Sequence, residues 1–132
     1  MDIRQFRVVL RAKSFETTCR FYGESLALPR VQSWDREDAR GAVFQAGPAL
    51  VEVQGRPADA RQSGRDEIYD YQGPNQKMVL TFLVPSAEEA YRELLFRDKN
   101  IPGGLRHDAD GSLVFETHDP DGVRVVYRQA ES

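Results

Sequence analysis

A glutamate and two histidines in the C-terminal third of the chain have the residue types of a metal site. Glu116 and His118 stand two residues apart, so on an extended strand their side chains point to the same face. His107 precedes them by a span that suits a neighbouring strand. A Glu-His-His metal site is one interpretation. The other is a solvated strand face or turn, which is the usual place for polar side chains.

The only cysteine, Cys19, excludes a disulfide within this chain and a thiolate-cluster metal site. It falls on the apolar side of a predicted helix, which favours a buried, inert thiol over a nucleophile. The sequence has no G-x-S-x-G nucleophile motif. No motif for covalent catalysis is therefore found.

The only tryptophan, Trp34, stands beside a charged run at 35–40. An aromatic platform with nearby carboxylates is what a binder of flat cations needs, through stacking and cation–π attraction. Further rings for such a platform are available from Phe44, Tyr69 and Tyr71. The alternative is that Trp34 packs in the core or at a dimer surface and that the run is a solvated hairpin turn.

Strand alternation separates two arginines from an apolar face. Alternate side chains of the first predicted strand are all apolar, and we expect them to pack on a helix. That leaves Arg7, Val9 and Arg11 on the opposite face. The fourth predicted strand presents Leu50 and Glu52 in the same way.

The elements that must position these residues occur twice along the chain. A shift of 72 positions lays the β-type run at 8–14 on the run at 80–86, and each run ends at a serine suited to cap a helix. Ser86 and Glu89 form a capping box. The apolar faces of the two helices also match under this shift, with Leu94 and Leu95 on the second, which favours duplication over chance.

Each predicted helix is followed by short strands. The second half contains the strong turn signal Asp119-Pro120-Asp121-Gly122. The predicted strands lie at about 30–35, 40–46 and 49–54 in the first half, and at 104–109, 113–115 and 123–127 in the second. The pattern is therefore β-α-β-β-β, twice.

A polar stretch separates the two halves. We predict one domain over 1–132, made of module 1 (4–54), a linker (55–76) and module 2 (77–128). A plain connector is the simpler interpretation of the linker. A lid over a ligand is the alternative, because long loops are often functional.

The composition limits the classes of function. The chain has 132 residues, and its 18 basic and 21 acidic residues leave a net charge of -3, which argues against a broad basic nucleic-acid surface. No apolar run reaches the roughly 18 residues that span a bilayer, and the first residues lack a secretory signal pattern. We therefore expect a cytoplasmic protein that binds neither nucleic acid nor membrane.

Three passages resemble the vicinal oxygen chelate superfamily, the group of glyoxalases, bleomycin resistance proteins and extradiol dioxygenases. They are VVLRA at 8–12, FYGESLALP at 21–29, with Ala27 where the family motif has glycine, and DPDG at 119–122. The resemblance covers about 4–128. It implies an α+β fold in which two tandem βαβββ modules form a cupped mixed β-sheet, with one helix covering each module.

The resemblance also implies where a divalent metal would be bound. Family ligands are histidines or carboxylates on the first and last strand of each module, and here those positions are Arg7, Glu52, Val79 and Val126. Only Glu52 can ligate, because a guanidinium has no acceptor atom and valine has no polar atom. The neighbouring Thr81 and Arg124 do not repair the site, since a divalent ion needs three or more protein ligands. We therefore predict no metal and no other cofactor.

The same comparison predicts an ion pair between Arg7 and Glu52, with a guanidinium in place of the metal. Either charge alone would be costly in a partly desolvated cup. The alternative is that both side chains reach solvent at a strand end.

The leading hypothesis is a metal-independent small-molecule binder that works as a homodimer. The alternative is a metal-dependent lyase, isomerase or dioxygenase with ligands displaced to Glu52, Glu116 and His118; a third is an interaction subunit with no ligand. The sequence leaves open whether the ligand is a cation or an anion. The predicted ligand-binding residues are Arg7, Val9, Arg11, Trp34, Glu52, Val79, Thr81 and Val126.

Overall fold

The computed structural model describes residues 1–57, 77–97 and 101–131. The chain divides into two compact units, Met1–Gly73 and Pro74–Ser132, and each is described by itself. The predicted linker at 55–76 lies mostly outside the described residues, as do Tyr69 and Tyr71. Within the described ranges, no helix is long and apolar enough to cross a membrane.

In residues 1–57, the described part of the first unit, there are one helical region and a four-stranded mixed sheet. The strands lie in the order β1-β4-β3-β2, with β1 parallel to β4 and the other pairs antiparallel. The elements are β1 Arg7–Arg11, α1 Phe15–Arg20, a π-helical segment Phe21–Ser25, β2 Arg30–Asp35, β3 Arg40–Ala46 and β4 Ala49–Gly55.

The core of this unit lies between the sheet and α1. Tyr22, Phe44 and Val53 have no exposed surface, and the rings of Tyr22 and Phe44 are 6.3 Å apart. The sequence pattern predicts that Gly55 starts the linker. In the structure Gly55 is the last residue of β4. A Cβ there would lie only 2.6 Å from the Cβ of Phe15, so a glycine is needed where α1 crosses the strand.

The helix begins where the sequence predicts. The Ser14 hydroxyl accepts a hydrogen bond from the backbone N–H of Thr17, at 3.4 Å, and so caps α1. The π-helical segment that follows is not predicted by any sequence pattern. After it, Ala27 adopts φ 57°, the left-handed conformation that explains why the family motif has glycine at this position.

The second unit repeats this arrangement with the strand order β5-β8-β7-β6, with β5 parallel to β8. The elements are β5 Val79–Val84, α2 Ala87–Arg97, β6 Arg106–His107, β7 Leu113–His118 and β8 Arg124–Gln129. β1 and β5 begin 72 positions apart, as do α1 and α2, so the predicted repeat is confirmed. The α+β fold of two βαβββ modules is confirmed as well.

Aromatic rings fill the core of the second unit on its helix side. Phe115 and Tyr127 stack with centroids 4.7 Å apart, and Tyr91 of α2 meets Phe115 edge-on at 5.4 Å. Leu94 is buried, but Leu95, predicted for the same apolar face, is 36% exposed. The packed stripe of α2 is therefore narrower than the sequence pattern indicated.

The predicted turn between β7 and β8 is confirmed. One carboxylate oxygen of Asp119 accepts hydrogen bonds from the backbone N–H groups of Asp121 and Val123, at 2.8 and 2.9 Å. Gly122 has φ 84°, which suits a residue without a Cβ. The turn fixes how β7 pairs with β8 and therefore which side chains share a face.

Candidate functional site

Strand register assembles a polar face on the first sheet, opposite the side covered by α1. Arg11, Gln54, Gly41 and Trp34 pair in one row across the four strands. Paired residues point to the same side of a sheet, and so do residues two apart. We call this surface the module-1 face. Its members include Arg7, Val9, Arg11, Gln32, Trp34, Gly41, Val43, Glu52 and Gln54.

An ion pair occupies the centre of the module-1 face. Arg7 Nη1 donates to Glu52 Oε1 at 2.6 Å, and Gln54 Nε2 donates to Glu52 Oε2 at 2.6 Å. Arg7 Nη2 also donates to Gln5, at 2.9 Å. Because Glu52 is only 7% exposed, the predicted pair is confirmed and the alternative, that both side chains reach solvent, is wrong.

These contacts decide whether the implied metal positions fit a divalent ion. Both oxygens of Glu52 already accept hydrogen bonds, and the cation beside it is a guanidinium that always keeps its charge. The corresponding positions on the second sheet, Val79 and Val126, have only hydrocarbon side chains. The residues at the four implied positions do not fit a divalent metal.

Trp34 lies flat on the module-1 face, above Gly41. A Cβ atom at Gly41 would overlap three atoms of the six-membered ring of Trp34, namely Cζ2, Cε2 and Cη2. The indole is partly buried. Phe44 is a second ring that the sequence suggests for the same platform. It follows Val43, a member of the module-1 face, so strand alternation directs Phe44 to the α1 side, where it is fully buried.

Arg11 ends the row that contains Trp34. Its side chain is exposed, and no hydrogen bond or ion pair links it to another residue in the described ranges. Its nearest cross-strand neighbour is Gln54, whose amide nitrogen is directed to Glu52. Counting only described residues, the module-1 face therefore has one neutralised guanidinium, that of Arg7, and one without a partner, that of Arg11.

A second face is built in the same way on the second sheet, opposite α2. Its members, which we call the module-2 face, are Val79, Thr81, Arg106, Val114, Glu116, His118, Arg124 and Val126. The eight predicted ligand-binding residues are thus divided between the two faces, five on the first and three on the second. Their ligand-binding role stays a prediction.

Two arginines hold Glu116 on the module-2 face. Arg106 Nη2 lies 3.0 Å from Glu116 Oε1, and Arg124 Nε lies 2.6 Å from Glu116 Oε2. Burial raises the pKa of Glu116, but the hydrogen bond from Arg124 and the charges of both arginines outweigh it and lower the pKa below the usual value. Sequence reasoning missed this triad, because it depends on the register of β6, β7 and β8.

The Glu-His-His metal site considered from the sequence is wrong. His118 shares the module-2 face with Glu116, but the pairing of β6 with β7 directs His107 to the other side of the sheet. There His107 Nδ1 lies 3.2 Å from the carbonyl oxygen of Gly111. Within the described part of the chain, no group of three or more histidine, cysteine or acidic side chains is arranged to hold a metal.

A cavity of about 430 Å³ lies on the helix side of the first sheet. Cys19, Gly23 and Phe44 line it, with the charged side chains of Glu24 and Arg30 among the other lining residues. Burial raises the pKa of the Cys19 thiol, which keeps it protonated and weakly nucleophilic. The prediction of a buried thiol is confirmed, since Cys19 is 4% exposed.

Comparisons with known proteins agree with this architecture. Solved structures similar to the chain include a glyoxalase family protein from Enterococcus faecalis, with 21% identity, 96% of each chain covered and a TM-score of 0.67. A glyoxalase/bleomycin resistance protein from Catenulispora acidiphila has 14% identity, covers 98% of this chain and 100% of its own, and has a TM-score of 0.67. Glyoxalase I from Leishmania major, described as trypanothione-dependent, has 16% identity, coverage of 97% and 87%, and a TM-score of 0.68.

At these identities the structures show a shared fold and nothing finer. No curated protein matches the sequence. The model of the Glyoxalase/Bleomycin resistance protein/Dioxygenase superfamily matches residues 4–127, nearly the whole chain. The chain belongs to that superfamily.

Proposed function

We propose that this protein binds a small organic molecule without a metal, at the sheet faces that lie opposite its helices. The main observation behind the proposal is that both oxygens of Glu52 already accept hydrogen bonds, one from Arg7 and one from Gln54. A metal at Glu52 would have to displace a bound guanidinium and an amide. Glu116 is engaged in the same manner by Arg106 and Arg124, so it is not free to serve as a displaced ligand.

Exposed apolar side chains on both faces support a binding role. Val9 is 41% exposed on the module-1 face, and Val79 is 42% exposed on the module-2 face. Apolar groups beside charged ones give a site both burial energy and orientation. A bound organic molecule would cover the apolar groups and pair with the charged ones.

The test of metal independence is elemental analysis of the purified protein. Cells are grown with added zinc, nickel, manganese and iron, and the protein is purified without a metal-affinity step. We expect far less than one ion per chain and an unchanged melting temperature after treatment with a chelator. Stoichiometric metal that resists dialysis would overturn the proposal in favour of a metal-dependent lyase, isomerase or dioxygenase.

The test of binding is a thermal shift screen against metabolites and antibiotics in chelator. A ligand that binds only the native state stabilises it by about 2.7 kcal/mol at a hundred times its Kd. We expect at least one compound to raise the melting temperature of the wild type and to lose this effect in Arg11→Gln. A broad panel without any shift would favour an interaction subunit that has no ligand.

The proposal includes a cytoplasmic homodimer, since members of this superfamily commonly complete their cups by pairing. Light scattering of the purified protein measures the mass directly. A monomer at all accessible concentrations would contradict this part of the proposal and leave ligand binding to be judged by the screen.

A further inference from the structure

The row that joins Arg11, Gln54, Gly41 and Trp34 has the layout of a site for a flat anion. We propose that the module-1 face binds a planar organic carboxylate, with its ring stacked on Trp34 and its carboxylate paired with Arg11. This inference rests on the proposed function and names the ligand class of the same site.

Gly41 makes the stacking platform. It lies within β3 in an extended strand, so its role is to leave space rather than to adopt an unusual backbone angle. With no Cβ at Gly41, the six-membered ring of Trp34 rests on the strand itself. One face of the indole is thereby packed, and because Trp34 is only partly buried, its other face can receive a flat ligand. A planar ring of the ligand can stack on this face with a lateral offset, which is the arrangement that aromatic rings prefer.

The charges on this face favour an anion over a cation. Glu52 is the acidic member of the face, and Arg7 and Gln54 already engage both of its oxygens. Asp35 follows Trp34 on β2, so strand alternation directs its side chain away from the ring. Arg11 is the charged side chain on this face without a partner in the described ranges. Among the residues that the structure describes, a flat cation would therefore find no free carboxylate on the face.

The spacing of the row sets the size of the ligand. Neighbouring strands lie about 4.8 Å apart, so the backbones of Trp34 and Arg11, three spacings apart, are separated by about 14 Å. The indole spans the first spacing because it covers Gly41. Arg11 stands at the other end of the row, and Gln54 lies between. This length suits one or two fused rings that stack on the indole and carry a carboxylate on the side toward Arg11.

Trp34 also provides the readout, because it is the only tryptophan of the chain. The probes are benzoate, benzamidinium and cyclohexanecarboxylate, which separate the effects of negative charge and planarity. Benzoate should change the Trp34 fluorescence saturably, and benzamidinium should not. Cyclohexanecarboxylate should bind about tenfold more weakly, since it loses the stacking contribution.

Variants test each part of the row. Arg11→Gln should weaken benzoate binding tenfold or more, because a charge-assisted hydrogen bond is lost. Arg92→Gln makes the same change of charge on the exposed surface of α2 and should leave the affinity unchanged. Gly41→Ala should lift the indole from the strand, shift its emission and weaken binding, with circular dichroism used to verify that the variant is folded.

The outcomes separate this inference from the proposed function. Tighter binding of benzamidinium than of benzoate, or equal binding of benzoate to wild type and Arg11→Gln, would overturn the inference. So would the absence of a saturable Trp34 response to benzoate. A compound that raises the melting temperature without affecting Trp34 would retain the proposed function but overturn this site. Stoichiometric metal together with the expected benzoate response would overturn the metal-independent function but retain this site.

Discussion

Glu52 is nearly buried on a strand face, yet both of its carboxylate oxygens have donors. The burial of a carboxylate is tolerated because Arg7 and Gln54 replace the hydrogen bonds lost from water. The pair is a structural requirement of this face as well as a part of the proposed site. Removal of the pair should lower the free energy of unfolding even without any ligand.

We expect Arg7→Leu to lower the free energy of unfolding by about 1–3 kcal/mol, because it leaves a buried carboxylate without its cation. The double variant Arg7→Leu/Glu52→Leu should recover part of this loss. Urea denaturation measures both. Arg4→Leu breaks an exposed pair with Asp2 and should change stability by no more than about 0.5 kcal/mol. Equal effects of the two arginine substitutions would contradict the argument.

Ala27 has a strained backbone conformation that lowers the stability of the folded protein. Its φ of 57° is the left-handed conformation in which a Cβ crowds the backbone. Ala27→Gly should therefore stabilise the protein by about 1 kcal/mol. The matched control is Ala90→Gly within α2, where the same substitution should destabilise by a similar amount. Thermal and urea unfolding of both variants should give opposite signs; a loss of stability in Ala27→Gly would refute the strain.

Sequence reasoning predicted single residues well where one strand decided their orientation. The Arg7–Glu52 pair followed from alternation along two strands together with the family resemblance. The triad around Glu116 was missed, since a slip of one residue between strands turns every side chain to the other face. The Glu-His-His interpretation needed His107 on a neighbouring strand to lie near Glu116 and His118, and the side of the sheet to which His107 points depends on the same register.

Among the elements, the hairpin of β7 and β8 should make the stability of the protein depend on pH. Arg106 and Arg124 hold Glu116, and its folded-state pKa lies below the ordinary value. A carboxylate with a lowered pKa contributes stability at pH values above its unfolded pKa. That contribution is lost as the pH falls through the folded pKa.

We therefore expect the stability of the wild type to decline as the pH falls below about 4.5. Glu116→Gln should be less stable at neutral pH and should show a shallower decline in acid. Urea midpoints measured across this range test it. The exposed Glu131→Gln serves as the control and should follow the wild type. Some decline should persist in Glu116→Gln, because Arg128 and backbone hydrogen bonds lower the pKa values of Asp108 and Asp110. Identical slopes for Glu116→Gln and the wild type would contradict the role of the triad.

Elements with local signals were located closely from the sequence. Ser14 and the Asp119–Gly122 turn act through hydrogen bonds to residues a few positions away, so a single sequence contains the information. The π-helical segment Phe21–Ser25 has no comparable signal. The cavity beside it was missed too, because it depends on packing between α1 and β3 rather than on a motif.

At the scale of the whole molecule, one topology supports two different faces. Both sheets have the order first, fourth, third, second strand of their module. The module-1 face combines an ion pair, a tryptophan on glycine and a free arginine, whereas the module-2 face has a glutamate between two arginines. The net charge of -3 hides this local pattern.

The proposed dimer leads to a prediction about the exposed apolar side chains of β5. β5 is the end strand of its sheet, and Val79 and Leu83, which are 42% and 66% exposed, point to the same side of it. Exposed apolar groups on an end strand favour association with another chain. We expect Leu83→Lys to shift the protein toward monomer in light scattering over a range of concentrations. Phe96→Lys, which changes a 92% exposed side chain on α2, should leave the mass unchanged. If Phe96→Lys dissociates the dimer and Leu83→Lys does not, association uses the helix side, and the prediction for β5 is contradicted.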